Sequence, residues 1–134
     1  WPHKLVIKGI ANVEDARKSI DWGMDGIIVS NHGGRQLDAG ESAITSLQHI
    51  LTQMDKKITV MMDSGIRDGT DIANTLACGA DFTFLGRSFM YGVSAMGKKG
   101  GDQVFAILRK ELQQVMQQLC CPNTTQLYNH RIKS

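Results

Sequence analysis

An α/β fold of parallel strands, each followed by a helix, is what this sequence predicts, and three observations predict it. Short β-rich runs and amphipathic stretches alternate four times along the chain. The β-rich runs lack the polar alternation of strands with one wet face, which is the pattern of parallel strands covered by helices. Residues able to do chemistry gather just after these runs instead of inside them.

The elements follow in order. Residues 4–8 (KLVIK) read as a first strand that Gly9 ends. Asn12 fits an N-cap, with Asp15 three residues on giving an imperfect capping box. Residues 13–22 carry Val13, Ala16 and Ile20 at helical spacing, and Gly23 stops that helix. Residues 26–30 (GIIVS) are a buried-strand run, and a polar, glycine-rich loop occupies 31–40. Residues 42–54 form a second helix with Ile44, Leu47, Ile50 and Leu51 on one face. A third strand at 58–62 (ITVMM) ends at Asp63-Ser64-Gly65, and a third helix at 68–78 is stopped by Gly79. Residues 82–85 are a fourth strand closed by Gly86-Arg87, followed by a short helix through 89–94. After a Gly/Lys loop at 97–101, residues 102–119 make a long amphipathic helix, and everything from Pro122 onward reads as a tail. The expected organisation is one domain at 1–121 and a C-terminal tail at 122–134.

Length and composition bound the function. A chain of 134 residues can bury one sizeable core. A formal net charge of +2 without a Lys/Arg run argues against a nucleic-acid partner. No apolar run approaches the roughly 20 residues of a membrane span, so a cytoplasmic protein is expected. Cys78, Cys120 and Cys121 are odd in number and not at metal-site spacing, which reads as reduced thiols. His3, His49 and His130 also lack partners at ligand spacing, so no metal is expected. The chain opens on Trp1-Pro2 with no Met and no signal-peptide pattern, as if cut from something longer.

Four strand–helix units fit half of a (β/α)8 (TIM) barrel or a small doubly wound sheet. In barrels, functional residues come from the C-terminal ends of several strands. Here Lys8, then Ser30-Asn31-His32, then Asp63-Ser64-Gly65, then Gly86-Arg87 stand at successive strand ends. A doubly wound nucleotide fold instead concentrates glycines after its first strand. The first turn here, Gly9-Ile10-Ala11-Asn12, is not of that kind, so the barrel is the expectation.

The strand ends carry candidate chemistry. In Ser30-Asn31-His32-Gly33-Gly34-Arg35-Gln36, a His and an Arg stand three residues apart across two glycines. Histidine serves as a general base near neutral pH, and arginine grips a carboxylate through a planar fork. The pair suits a small carboxylic acid with a proton to lose. The same residues also fit a glycine-rich turn with an exposed His and a solvated Arg. Lys8 is either a snorkelling side chain or a positive charge beside an anionic cofactor. Gly65 with Arg67, and Gly86 with Arg87, fit a phosphate site at the last two strand ends of a barrel. Each pair alone also fits a plain helix-start turn.

SNHGGRQ at 30–36 resembles the active-site signature of the FMN-dependent 2-hydroxy-acid dehydrogenase and oxidase family. Lys8 in LVIKGI, DSGIRDGTD at 63–71 and GADFTFLGRSFMYG at 79–92 match the family's flanking motifs in order and spacing. The resemblance runs from about Lys4 to Leu119. It implies the C-terminal half of a TIM barrel, strands 5–8, with FMN as cofactor. It implies His32 as catalytic base and Arg35 as the substrate-carboxylate ligand. Lys8 and Ser30 would contact the flavin ring, and Asp63, Gly65, Arg67, Gly86 and Arg87 would line its ribityl-phosphate side. The implied reaction is oxidation of an L-2-hydroxy acid, with L-lactate the first candidate, to the 2-oxo acid. The family's first four β/α units are absent, so the chain alone is expected to be inactive. Its expected partner is the missing half or a second copy. The competing reading is a non-catalytic FMN- or phosphate-binding half-barrel that self-associates. The fragment DSGIR is reminiscent of the family's membrane-associated bacterial dehydrogenases, which adds a peripheral inner-membrane location for the full enzyme.

Overall fold

The computed structural model describes residues 1–55 and 58–130. The chain divides into two compact units, Trp1–Gly65 with Gly79–Phe84, and Ile66–Cys78 with Leu85–Ser134.

The first unit holds a four-stranded sheet in the order β1-β2-β3-β4. The strands are β1 (Val6–Ile10), β2 (Gly26–Val29), β3 (Thr59–Met62) and β4 (Phe82–Thr83), and every pairing is parallel. Helix α1 (Val13–Asp21) packs on β1 and β2, α2 (Ala43–Gln53) packs on β2 and β3, and the two helices touch each other. They therefore share one face of the sheet. Strands in sequence order with no switch point, with α1 and α2 on one side, match an arc of a singly wound barrel; a doubly wound sheet reverses its order.

Register sorts the side chains. Ile7, Ile27 and Val60 align in one row, and the core under the helices is Ile27, Val29, Leu47, Ile50 and Val60. The opposite face carries the row Lys8, Ile28, Met61, Phe82. Phe82 is 56% exposed and Lys8 is also open to solvent, so that face is only partly covered.

Local chemistry explains the boundaries. The Asn12 Oδ1 accepts from the Asp15 N–H and its Nδ2 donates to Asp15 Oδ2, both at 2.8 Å, which starts α1. Ser42 Oγ accepts from the Thr45 N–H at 3.3 Å and starts α2. The first strand does not end at Gly9, as the sequence reading had it. It continues to Ile10 through a register shift after Lys8, with Gly9 at φ +95°. Glycine reaches that conformation without steric penalty, so it makes a bulge here and not a stop.

The second unit contains α3 (Gly69–Cys78), α4 (Arg87–Met96), α5 (Gly100–Gln118) and a 3-10 helix over Thr124–His130. Helix α4 is longer than the expected 89–94, and α5 starts at Gly100 instead of 102. Gly92 of α4 and Gly100 of α5 meet backbone to backbone, so the residue expected in a loop belongs to the helix crossing. Gly69 meets Glu111 and Leu112 of α5 in the same way. Residues 122–130 are not a loose tail. Leu127 is buried with Ala73 and Cys121, against Leu76, Leu112 and Met116. Residues 131–134 of the expected tail lie outside the described residues.

Candidate functional site

Within the first unit, the C-terminal ends of β1, β2 and β3 bring four of the sequence-derived candidates together. Lys8 Nζ lies 2.9 Å from Asp63 Oδ2 and donates to Ser30 Oγ, also at 2.9 Å. The Ser30 hydroxyl is buried and accepts from the His32 backbone N–H at 3.1 Å. His32 thus begins its loop tied to the residue that receives Lys8.

The loop itself is bent by left-handed residues. His32, Gly33 and Gly34 stand at φ 55°, 69° and 76°. A non-glycine residue at positive φ is uncommon and is tolerated where surrounding bonds over-determine it. Those bonds are visible. Asn31 Oδ1 accepts from the Gly33 N–H at 3.1 Å, and Ser64 Oγ accepts from the same N–H at 3.0 Å. The His32 imidazole reaches back to β1. A Cβ built on Gly9 would stand 2.9 Å from His32 Nε2, so the bulge leaves room for the ring.

Asp63 is the charge centre of this cluster. Partial burial pushes its carboxyl upward. Hydrogen bonds from Ser30, Lys8 and Ser64, with the Lys8 charge, outweigh that and hold it below its ordinary value of 3.8. The carboxylate therefore stays ionised near neutral pH and keeps Lys8 at the mouth of the strands.

Arg35 ends the His32–Gly34 turn, its N–H bonding the His32 carbonyl at 3.4 Å. Its guanidinium is exposed and has no partner among the described residues. That is the condition of a fork available to an external carboxylate. Gly65 follows Ser64 at φ 81°, with nothing within 4 Å of a built Cβ.

Arg67, Gly86 and Arg87 belong to the second unit. There the Ser88 hydroxyl donates to the Arg67 carbonyl at 3.1 Å, which sets the residues before α3 beside the start of α4. The two helix starts differ in kind. At α3, Asp68 Oδ1 accepts from the Asp71 N–H, Asp71 Oδ2 from the Arg67 N–H and Glu111 Oε2 from the Gly69 N–H, each at 2.9 Å. Carboxylates already hold those donors. At α4, the N-cap is Gly86, without a side-chain cap and with nothing within 4 Å of a built Cβ. The start of α4 leaves room for an anion, with Arg67 and Arg87 on the adjoining segments, whereas carboxylates already stand at the start of α3.

Sequence reasoning placed Asn31 and Ser64 at strand ends without giving either a role, read Gly9 only as a strand stop, and missed Ser88. Asn31 was findable as an Asx turn before two glycines. Ser64 and Ser88 carry no local signal, because their bonds reach 31 and 21 residues away. Among the described residues no group of His, Cys, Asp or Glu is placed to hold a metal ion. No helix among them is long and apolar enough to cross a membrane.

Known proteins resemble this arrangement. The FMN-dependent dehydrogenase family matches the chain over residues 1–134. The (S)-mandelate dehydrogenase of Pseudomonas putida is 43% identical over 127 residues, 95% of this chain and 32% of that protein. The L-lactate dehydrogenase of Actinobacillus pleuropneumoniae serotype 5b is 47% identical over 116 residues, 87% of this chain and 30% of that protein. A solved structure of the monotopic membrane protein (S)-mandelate dehydrogenase matches with a TM-score of 0.89 at 42% identity, over 95% of this chain and 34% of that one. The chain spans about a third of the length of these relatives.

Proposed function

The chain belongs to the FMN-dependent dehydrogenase family, and from that premise we propose that it is the C-terminal half, strands 5–8, of a barrel enzyme that oxidises an L-2-hydroxy acid to the 2-oxo acid. The observation that carries the reading is the His32 loop. A histidine held at φ 55° above a glycine bulge, three residues before an unpartnered arginine, stands beside a lysine fixed by a carboxylate. Strain of that kind collects where geometry serves function.

Within each unit the residues present suit one part of FMN. Lys8 and Ser30 would meet the ring, Lys8 with positive charge for its N1–O2 side. Asp63 and Gly65 would line the ribityl chain. Arg67, Gly86 and Arg87 would take the phosphate, supported by the uncapped start of α4. FMN, when bound, accepts the two electrons that leave the substrate. Arg35 binds the substrate carboxylate and fixes which face of the acid is presented. His32 would take one of the two hydrogens the substrate loses, as a proton on its imidazole, and the other would leave with the electron pair that a bound FMN accepts. Asp63 holds the Lys8 ammonium in place while charge moves beside it.

L-Lactate is the first substrate proposed and L-mandelate the second, because relatives named for each match the chain. A cytoplasmic enzyme peripheral to the inner membrane is the matching location, supported by the monotopic relative. The test uses the full-length flavoprotein. Anaerobic addition of L-lactate, L-mandelate or glycolate should bleach the oxidised-flavin absorbance, and a flavin that none of them reduces would overturn the proposal. A second reading, a non-catalytic FMN- or phosphate-binding half-barrel that self-associates, draws support from Val6, Phe82 and Phe84 exposed on the outer strands of the sheet and just beyond β4. Bound flavin without turnover, in a species that light scattering finds to be a dimer or larger, would favour it.

A further inference from the structure

We propose that Ser64 is a positioning residue that locks the His32 loop to the Lys8–Asp63 ion pair. The inference rests on the functional reading above for its kinetic consequence, and on geometry alone for the lock. Ser64 stands at φ 75°, directly before Gly65 at φ 81°. Glycine is the default residue at such an angle, and an L side chain there is disfavoured. What the serine brings to that position is its hydroxyl.

The hydroxyl is a three-way junction. It donates to Asp63 Oδ1 at 2.8 Å, accepts from the Gly33 N–H at 3.0 Å, and lies 3.4 Å from Ser30 Oγ. Hydrogen accounting fixes the directions. The Ser64 proton is committed to the carboxylate, so its lone pairs face Gly33 and Ser30. Ser30 Oγ already accepts from Lys8 Nζ and from the His32 N–H. Its own proton is left for Asp63 and the Ser64 oxygen.

Two consequences follow. The Ser30 bond holds His32 from within the end of its own strand. Ser64 holds the next residue, Gly33, from the end of the neighbouring strand, so it sets the angle at which the turn leaves the sheet. The same oxygen also orients the carboxylate that fixes Lys8. Base and cationic lysine are thereby referenced to one atom, although neither touches it with its own reacting group.

Removing the hydroxyl should loosen the turn, while Asp63 keeps its bonds from Lys8 and Ser30 and so holds the flavin-binding residues in place. Ser64→Ala keeps the Cβ, and Ser64→Gly in addition removes the conformational strain, so the glycine variant is not at risk of misfolding. In the full-length flavoprotein both variants should retain FMN. Deuterium exchange at the amides of 32–34 should rise in both. The rate constant for flavin reduction by L-lactate or L-mandelate should fall roughly tenfold, a misplacement of a few tenths of an ångström, with the dissociation constant of the substrate little changed. A merely structural role would separate the two variants by stability and leave the reduction rate of Ser64→Gly at the wild-type value. Unchanged exchange at 32–34 in both variants overturns the lock. Faster exchange with wild-type reduction rates overturns its catalytic importance. If the wild-type flavin is reduced by no 2-hydroxy acid, the functional reading has failed instead, and the exchange measurement alone decides the lock.

Discussion

Replacing Gly9 with alanine tests the geometry of the site at its tightest point. Gly9 sits at φ +95° in the bulge of β1, and a Cβ there would lie 2.9 Å from His32 Nε2 and 3.4 Å from its Cε1. Ordinary contact between such atoms is near 3.5 Å or more, so the ring must retreat by roughly 0.6 Å. The obstacle is the end of a side chain and not backbone, so the fold can absorb it. The folding penalty comes from alanine at positive φ, on the order of 1–3 kcal/mol. The catalytic penalty is larger in kind. A displacement of about 1 Å from productive geometry costs about 100-fold, so a retreat of this size should slow substrate oxidation by roughly 10- to 100-fold. In the full-length Gly9→Ala enzyme, stopped-flow flavin reduction should show that loss, and FMN content should hold because Lys8, Asp63 and Ser30 are untouched. Wild-type reduction kinetics, or a crystal structure of the variant with the imidazole unmoved, would refute the reasoning.

The other tests address single residues. His32→Ala in the full-length enzyme should retain FMN and lose roughly 10²–10⁴-fold in its reduction by substrate, as loss of a general base does; near-normal reduction by L-lactate and L-mandelate removes the assigned role. Arg35→Lys should raise the substrate dissociation constant more than that of FMN, since lysine lacks the bidentate fork; loss of FMN with unaltered substrate affinity means Arg35 is misassigned. Asp63 has a folded-state pKa below 3.8, so its ionised form stabilises the fold fully above that value, and the contribution fades as pH falls through the folded pKa. Urea denaturation should therefore find Asp63→Asn less stable than wild type at neutral pH, with the gap closing below about pH 3.8; a gap that persists unchanged in acid would contradict the ion-pair account. The 134-residue chain by itself should not oxidise 2-hydroxy acids even with FMN supplied, because Lys8 and the His32 loop come from only two strand ends; turnover of L-lactate by an isolated monomer would overturn the half-barrel proposal.

How much of this was legible in the sequence depends on the range of each interaction. The helices of the first unit and the cap of α1 were readable because their determinants are local. Asn12 and Asp15 are three residues apart, as are Ser42 and Thr45, and both pairs form their bonds. The alternation of elements was readable for the same reason. The strand ends Lys8, Ser30 and Asp63 were identifiable by residue type, but their union was not, because Lys8 meets Ser30 across 22 residues. The segment after Pro122 misled for the opposite reason. Its polar residues and lack of periodicity say tail, while the apolar side chain of Leu127 fills a site built by α3 and α5. One buried leucine in a short 3-10 helix leaves no period to detect.

Glycine is the residue whose meaning the sequence hides most thoroughly, because three different physical demands select it here. Gly92 and Gly100 are required for lack of volume, since each would drive a Cβ into the backbone of the other helix. Gly23 and Gly97 sit at positive φ with nothing nearby and do no more than end or start a helix. Gly9, Gly33, Gly34 and Gly65 answer a third demand, the aiming of the side chains proposed here as the site. They stand at positive φ in the loops that carry Lys8, His32 and Asp63, and two non-glycine residues, His32 and Ser64, share that conformation beside them. Six of the ten left-handed residues among those described fall in these three loops, so the distortion is concentrated and not spread over the fold. A histidine and a serine held where glycine belongs would relax unless bonds opposed it, and the opposing bonds are those of Ser30, Ser64 and Asn31. The strain and the hydrogen bonds are therefore one device. The sheet supplies rigid ends, left-handed residues turn the chain back over them, and the buried Ser30 and half-buried Ser64 hydroxyls hold the turned segment in the orientation proposed for His32.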